Sequence, residues 1–408
     1  MFPARSEFGN FYFKPMRTAK SIVNAIVCLL AVIMATPASA QKLTYTVTVP
    51  PGTKDCFIAG DMNAWTPHEM IKTGPNKYQL SIAEAQIGQH YIYLSGPAFT
   101  FAETISSNRT YKETDTVSGW KDMWNPNESR PIKVASGSAK SYFFHSKIVD
   151  SRNIAVWLPD GYSLRQKYNV VYMHDGQMLF DSTTTWNRKE WQVDEVVGKL
   201  IALGQLKQTI IVGIDNNGNK REAEFFPQKI VGSIPQPQQS DLLKLMPGGP
   251  IADSYLRFIV KELKPYIDAH YSTYKDARHT FIGGSSLGGM ISLYAVCEYP
   301  NVFSGAFCMS THWVGTFYQN SQIPDAYLQY LDKHIPAPQT HKLYFDHGDQ
   351  TLDSLYAPTQ GKVDALFKAK GYNASNFKSL IFPGAAHVES DWAKRLSIPF
   401  SFLLGRDK

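Results

Sequence analysis

Residues 280–289 read Thr280-Phe281-Ile282-Gly283-Gly284-Ser285-Ser286-Leu287-Gly288-Gly289, and a run with helical spacing follows over 290–299, ahead of Pro300. An apolar strand, a glycine-flanked serine and a helix in that order predict a strand–turn–helix elbow. Such an elbow forces its central residue into a strained turn and lifts that side chain clear of the sheet. Gly284 and Gly288 suit it because side chains there would collide within the turn. Ser286 is therefore a candidate nucleophile. Outward from this stretch, apolar strands at 154–158, 169–173 and 209–213 alternate with helical spacing at 193–206 and 253–271. That alternation over 139–408 predicts a parallel α/β sheet of the α/β-hydrolase kind.

A serine hydroxyl needs a base and an acid that orients the base. On this fold they follow the serine in the order acid, then histidine. His387 ends the small-residue loop Gly384-Ala385-Ala386-His387, after a strand at 379–382 and before helical spacing at 389–396. It is the candidate base. The acid lies in the segment Asp346-His347-Gly348-Asp349-Gln350-Thr351-Leu352-Asp353. Asp353 is preferred, with Asp349 and Asp346 as competitors. The oxyanion hole is expected from the backbone N–H groups of Leu287 and of Gln177, in the loop His174-Asp175-Gly176-Gln177. Trp186, Trp191 and Trp313 are candidates to line the acyl or sugar pocket, with Trp186 and Trp313 assigned to substrate binding.

The beginning of the chain reads as a secretory signal. Arg17 and Lys20 precede an apolar run, and Ala38-Ser39-Ala40 offers a small-residue cleavage site before Gln41. The run is too short for a stable membrane span. Loss of residues 1–40 removes four bases and one acid and takes the net charge from +6 to +3. A near-balanced chain without basic runs argues against nucleic acid as a partner. Secreted or periplasmic location is expected. Cys56, Cys297 and Cys308 then remain, too few and odd in number for a disulfide scaffold; pairing of Cys297 with Cys308 stays open.

Residues 41–124 carry short strands separated by turns and predict an immunoglobulin-like β-sandwich. Residues 125–138 read as a linker, rich in Asn and Pro at its start, and 139–408 as the α/β domain.

The loop His174-Asp175-Gly176-Gln177, the segment Gly283-Gly284-Ser285-Ser286-Leu287-Gly288-Gly289, and Gly384-Ala385-Ala386-His387 with Trp392 after it resemble an esterase family over residues 140–405. That family includes esterase D, enterochelin esterases, and the feruloyl and acetyl-xylan esterases of carbohydrate esterase family 1. The resemblance implies ester hydrolysis through an acyl-serine on Ser286, with His387 as base and without a metal or other cofactor. The segment Gly60-Asp61-Met62-Asn63-Ala64-Trp65-Thr66-Pro67, with Phe101-Ala102-Glu103 and Asn108-Arg109, resembles starch- and glycogen-binding modules. It implies a stacking platform for polysaccharide, with Trp65, Tyr91 and Tyr93 as candidates. An acylated plant carbohydrate is the expected substrate. A siderophore ester is the alternative, kept open by Arg188, Lys189, Lys220 and Arg221. A non-catalytic glycan-binding protein is the third reading.

Overall fold

The computed structural model describes residues 42–96, 102–103, 105, 107–120, 129–246 and 248–406. The signal-like residues 1–40, Phe101 and 121–128 lie outside the described residues. The chain divides into two compact units, one up to residue 93 together with 105–118, the other 94–104 together with 119–408.

The first unit holds two four-stranded sheets. One has the order Ile71–Gly74, Lys77–Ile82, Leu43–Thr48, Thr114–Thr116; the other His68–Glu69, Phe57–Gly60, His90–Leu94, Arg109–Thr110. Leu43, Tyr45 and Val47 alternate inward along their strand. The Tyr45 ring meets Tyr91 of the other sheet edge-on at 5.0 Å. Here the expected stacking platform needs correction. Tyr91 and Tyr93 are two residues apart on one strand, share its inward face, and are fully buried. Their hydroxyls converge on Asp115, at 2.6 and 3.1 Å, and Arg109 pairs with the same carboxylate at 2.9 Å. Trp65 is half-buried, with its Nε1 donating to Asp61 at 2.9 Å.

The second unit is built on nine strands: β1 (Arg130–Ile132), β2 (Ser138–Phe144), β3 (Arg152–Leu158), β4 (Asn169–His174), β5 (Thr209–Ile214), β6 (Thr280–Ser285), β7 (Gly305–Met309), β8 (Lys342–His347) and β9 (Phe377–Ile381). They lie in the order β9-β8-β7-β6-β4-β5-β3-β2-β1. Parallel pairing runs from β5 through β4 to β9, and β1, β2 and β3 are antiparallel. Part of the expected linker is thus the edge strand β1. Pro131 stands opposite Lys140 there, on an edge where its missing N–H breaks no ladder.

β4, β5, β6 and β7 are buried along their whole length, as the continuous apolar runs require for strands covered on both faces. The helix Leu287–Glu298 is buried on all sides except at Glu298, which explains its lack of a polar face. It packs directly behind β6 and fixes the elbow between them. Cys56, Cys297 and Cys308 are buried; among the described residues no disulfide joins Cys297 to Cys308.

Candidate active site

Ser286 follows the last residue of β6 and precedes the first residue of the helix Leu287–Glu298. Its backbone sits at φ 58°, ψ −127°. A non-glycine residue with positive φ is costly, of order 1–3 kcal/mol, and persists only where the surroundings impose it. They do so here: Ser286 N–H donates to Met309 O at 3.0 Å, and His312 N–H donates to Ser286 O at 3.2 Å. A Cβ on Gly284 would stand 3.2 Å from the Gly288 backbone.

His387 lies after β9, and its Nδ1 meets Asp353 Oδ1 at 2.6 Å. Asp353 is fully buried, and its Oδ2 accepts from Ser310 Oγ and from Gly348 N–H, both at 2.6 Å. Burial pushes the Asp353 carboxyl up, but the hydrogen bond and charge of His387, with those two donors, outweigh it and hold it below the usual range. The two competing aspartates have other partners. Asp346 is buried against Arg395 at 3.0 Å and Tyr344 at 2.8 Å. Asp349 is exposed and caps Gly384 N–H at 2.8 Å. Of the three, only Asp353 reaches His387.

Ser286 and His387 line one cavity of about 580 Å³ together with Gln177, Trp186, Trp191, Trp392 and neighbouring polar residues. Leu287 N–H belongs to the first turn of its helix, where amides lack intrahelical acceptors and are available to an anion. Gln177 lies in the short 3₁₀ turn Gly176–Met178, and its side chain accepts from Asn216 N–H at 3.1 Å. That turn is anchored from below. Asp175 has φ 56° and binds Arg221 through two bonds, at 2.7 and 2.8 Å. Burial pushes its carboxyl up, but Arg221 outweighs this and keeps it below the usual range. His174, driven down to about 3 by burial, is neutral and bonds Tyr255 at 2.8 Å.

The need for glycine at 176 comes from the sheet. A Cβ there would lie 2.6 Å from the Gly213 carbonyl carbon and 2.7 Å from Ile214 N. Gly176→Ala is expected to destabilise the fold by about 1–3 kcal/mol through overpacking. Thermal unfolding would show this as a lowered midpoint.

The tryptophans part company. Trp186 is 83% exposed at the cavity rim. Trp191 is buried but lines the cavity floor, tilted against Trp392 at 5.3 Å. Trp313 does not line the cavity, which corrects its assignment to substrate binding. It is buried in the core, stacked on Phe345, with Nε1 donating to Gln360 at 2.9 Å. An apolar ring with one polar edge is satisfied there without a ligand. The sequence offered no signal for Tyr356, His312 or Ser310, or for the Asn187–Glu389 bond of 2.8 Å that ties the Trp186 loop to the helix after His387. Among the described residues no helix is long and apolar enough to cross a membrane, and no cluster of side chains could hold a metal ion.

The family model described as "Putative esterase" matches residues 146–397. The chain is 27% identical over 170 residues to the uncharacterized protein YjcH of Bacillus subtilis (strain 168), across 42% of this chain and 60% of that protein. It is 21% identical over 265 residues to the uncharacterized protein YbbA of the same organism, across 63% and 94%. The chain therefore spans less than two thirds of the first of these relatives. Similar solved structures include an enterochelin esterase from Shigella flexneri, with 14% identity, coverage of 88% and 91%, and a TM-score of 0.49. Another is a mutant feruloyl esterase module from Clostridium thermocellum complexed with sinapinate, with 17% identity, coverage of 67% and 93%, and a TM-score of 0.48.

Proposed function

This chain belongs to the Esterase family and has an α/β-hydrolase fold, and from that premise we propose that it hydrolyses carboxylic esters through an acyl-serine on Ser286. The observation that carries this reading is the His387–Asp353 bond beside the cavity that Ser286 enters from its strained elbow. Ser286 Oγ attacks the ester carbonyl carbon while His387 Nε2 takes its proton. His387 then gives that proton to the departing alkoxide. Asp353 holds the imidazole in the tautomer with hydrogen on Nδ1. The amides of Leu287 and Gln177 receive the oxyanion. Water repeats the sequence to release the acid. Treatment with a fluorophosphonate should add one label, on the peptide that contains Ser286. A label on another residue would sink the assignment.

Charge selects among the esters. Lys220 is paired with Asp150 at 2.6 Å, Arg221 is held by Asp175, and Arg188 is turned onto the Thr183 carbonyl. At the cavity, Lys189 and Arg221 face Asp175 and Glu389 in equal number. Such a balance favours an acyl group without charge, feruloyl or acetyl, on plant carbohydrate over an anionic siderophore. Trp186 then serves as a stacking face at the rim. Trp186→Ala should raise KM for methyl ferulate about 2- to 10-fold, the scale of one lost ring contact, and leave p-nitrophenyl acetate within about twofold. Parallel steady-state assays of the two esters would read this.

We further read the chain as exported, with cleavage after Ala40, so that the mature protein begins at Gln41. N-terminal sequencing of the exported form tests that. Residues 41–124 form an immunoglobulin-like accessory module, and the esterase domain takes in β1 as well as 139–408. Polysaccharide binding by the module would have to use a surface other than Tyr91 and Tyr93, since both are core.

A further inference from the structure

Ser310 follows the last residue of β7 and is fully buried. Its backbone has φ 43°, a costly value for a residue with a Cβ. The surroundings impose it, since Ser310 N–H donates to Asp346 O of β8 at 2.6 Å. The Ser310 hydroxyl has three partners. Trp392 Nε1–H donates to Oγ at 2.9 Å, and Arg395 Nη2–H donates to it at 3.0 Å. Oγ in turn donates to Asp353 Oδ2 at 2.6 Å. A hydroxyl carries one hydrogen and two acceptor sites. Indole and guanidinium can only donate, so together they fill both acceptor sites. The one hydrogen is left to Asp353. Its direction is thus set by the neighbours of the serine, at a backbone strain that packing alone does not require.

We propose that Ser310 is a positioning residue for Asp353, and that Trp392 and Arg395 lock its hydroxyl onto that carboxylate. The inference rests on the acyl-serine reading above. Arg395 is anchored by Asp346 Oδ1, which accepts from its Nε at 3.1 Å and its Nη2 at 3.0 Å. That Nη2 stops 4.0 Å from Asp353 Oδ2, and Ser310 Oγ is bonded to both. The cation therefore acts on the carboxylate through a neutral hydroxyl. A charged donor on Oγ polarises its O–H and strengthens the bond that follows. A direct guanidinium pair would instead compete with His387 for Asp353. Held at Oδ2 by Ser310 and by Gly348 N–H, the carboxylate presents Oδ1 to His387 Nδ1 at 2.6 Å. Trp392 serves both members of that pair. Its Nε1 aims Ser310, and its ring stands edge-on to His387 with centroids 5.0 Å apart.

Ser310→Ala removes one oxygen atom and leaves a residue that meets the same φ. It should lower kcat for p-nitrophenyl acetate about 3- to 10-fold, the worth of one hydrogen bond, with KM within about twofold. The pH profile gives a readout that a merely structural role would not move. Without the Ser310 donor, more charge stays on Asp353 Oδ1 and stabilises the protonated imidazole. The acid limb of kcat/KM should therefore move up by about half a pH unit to one unit. His312, Tyr356, Arg395 and Asp346 also stand around the pair, and they are the same in both proteins, so the difference between the profiles belongs to Ser310. Ser310→Cys, whose thiol is a weak donor, should fall between serine and alanine in kcat and in the limb. It decides by the same limb should the alanine variant fail to fold. Trp392→Phe, which deletes one of the two locking donors and keeps a ring, should move the limb the same way by less. In an Asp353→Asn background Ser310→Ala should change kcat less than about twofold, because its effect passes through the carboxylate. An unmoved or lowered limb beside an inactive Ser286→Ala would overturn this inference alone. So would a loss in kcat that persists in full in the Asp353→Asn background. An active Ser286→Ala would overturn the acyl-serine reading and this inference with it.

Discussion

Ser286→Ala is expected to slow hydrolysis of p-nitrophenyl acetate by about 10⁴- to 10⁶-fold, the scale seen when a serine nucleophile is deleted. The residue that remains has no atom able to form the acyl-enzyme. What is left is polarisation of the ester by the amides of Leu287 and Gln177, which activates only bulk water. The unfolding midpoint should hardly move. The elbow is imposed by backbone bonds to Met309 and His312, and neither uses the serine hydroxyl. Alanine meets the same positive φ at the same cost. A variant that kept a tenth of the wild-type rate would exclude Ser286 as nucleophile.

Asp353→Asn should lower kcat by about 10⁴-fold. The carboxylate accepts from three donors: His387 Nδ1–H, Ser310 O–H and Gly348 N–H. An amide can turn its oxygen to only one side and must set its NH₂ against a donor on the other. If the amide NH₂ faces His387, it favours the wrong tautomer and Nε2 can no longer take the serine proton. Asp349→Asn, at an exposed capping carboxylate, should keep wild-type kcat within about twofold, the small change usual for a surface substitution. Steady-state rates for the pair of variants would decide the assignment; loss at 349 with retention at 353 would reverse it. Acid stability gives a second readout with a defined sign. The folded carboxyl of Asp353 titrates below its unfolded value. Its contribution is therefore complete above the ordinary carboxylate range, near pH 4, and is lost as pH falls through the lower folded value. The asparagine variant lacks that increment, so its unfolding midpoint should fall less steeply on acidification below about pH 4.

The α/β architecture was legible because its signals are local. Four buried strands are continuous apolar runs, and helical spacing separates them. The elbow could be read for the same reason: strand, glycine-flanked serine and helix are adjacent in the chain. Boundaries moved where a local rule was overridden. The spacing over 193–206 predicts one helix, but it stops at Ala202, and Gly204 takes φ 69° just beyond. The edge strand β1 was hidden by its Pro131, which is harmless only because the strand has a neighbour on one side.

By itself the sequence determined the class of sheet, the place of Ser286 on it, and the loop that carries His387. Those follow from residues that are neighbours in the chain. Only the tertiary structure decided which aspartate meets that histidine, because Asp346, Asp349 and Asp353 differ in which way the loop after β8 turns, not in composition. It also decided that Trp313 and the tyrosines at 91 and 93 are core while Trp186 stands in solvent, since side-chain exposure depends on what packs above each face. And it alone brought His312 to Ser286, from 26 residues away along the chain. No periodicity or motif encodes a contact of that kind; it exists only once β6, β7 and β8 lie side by side.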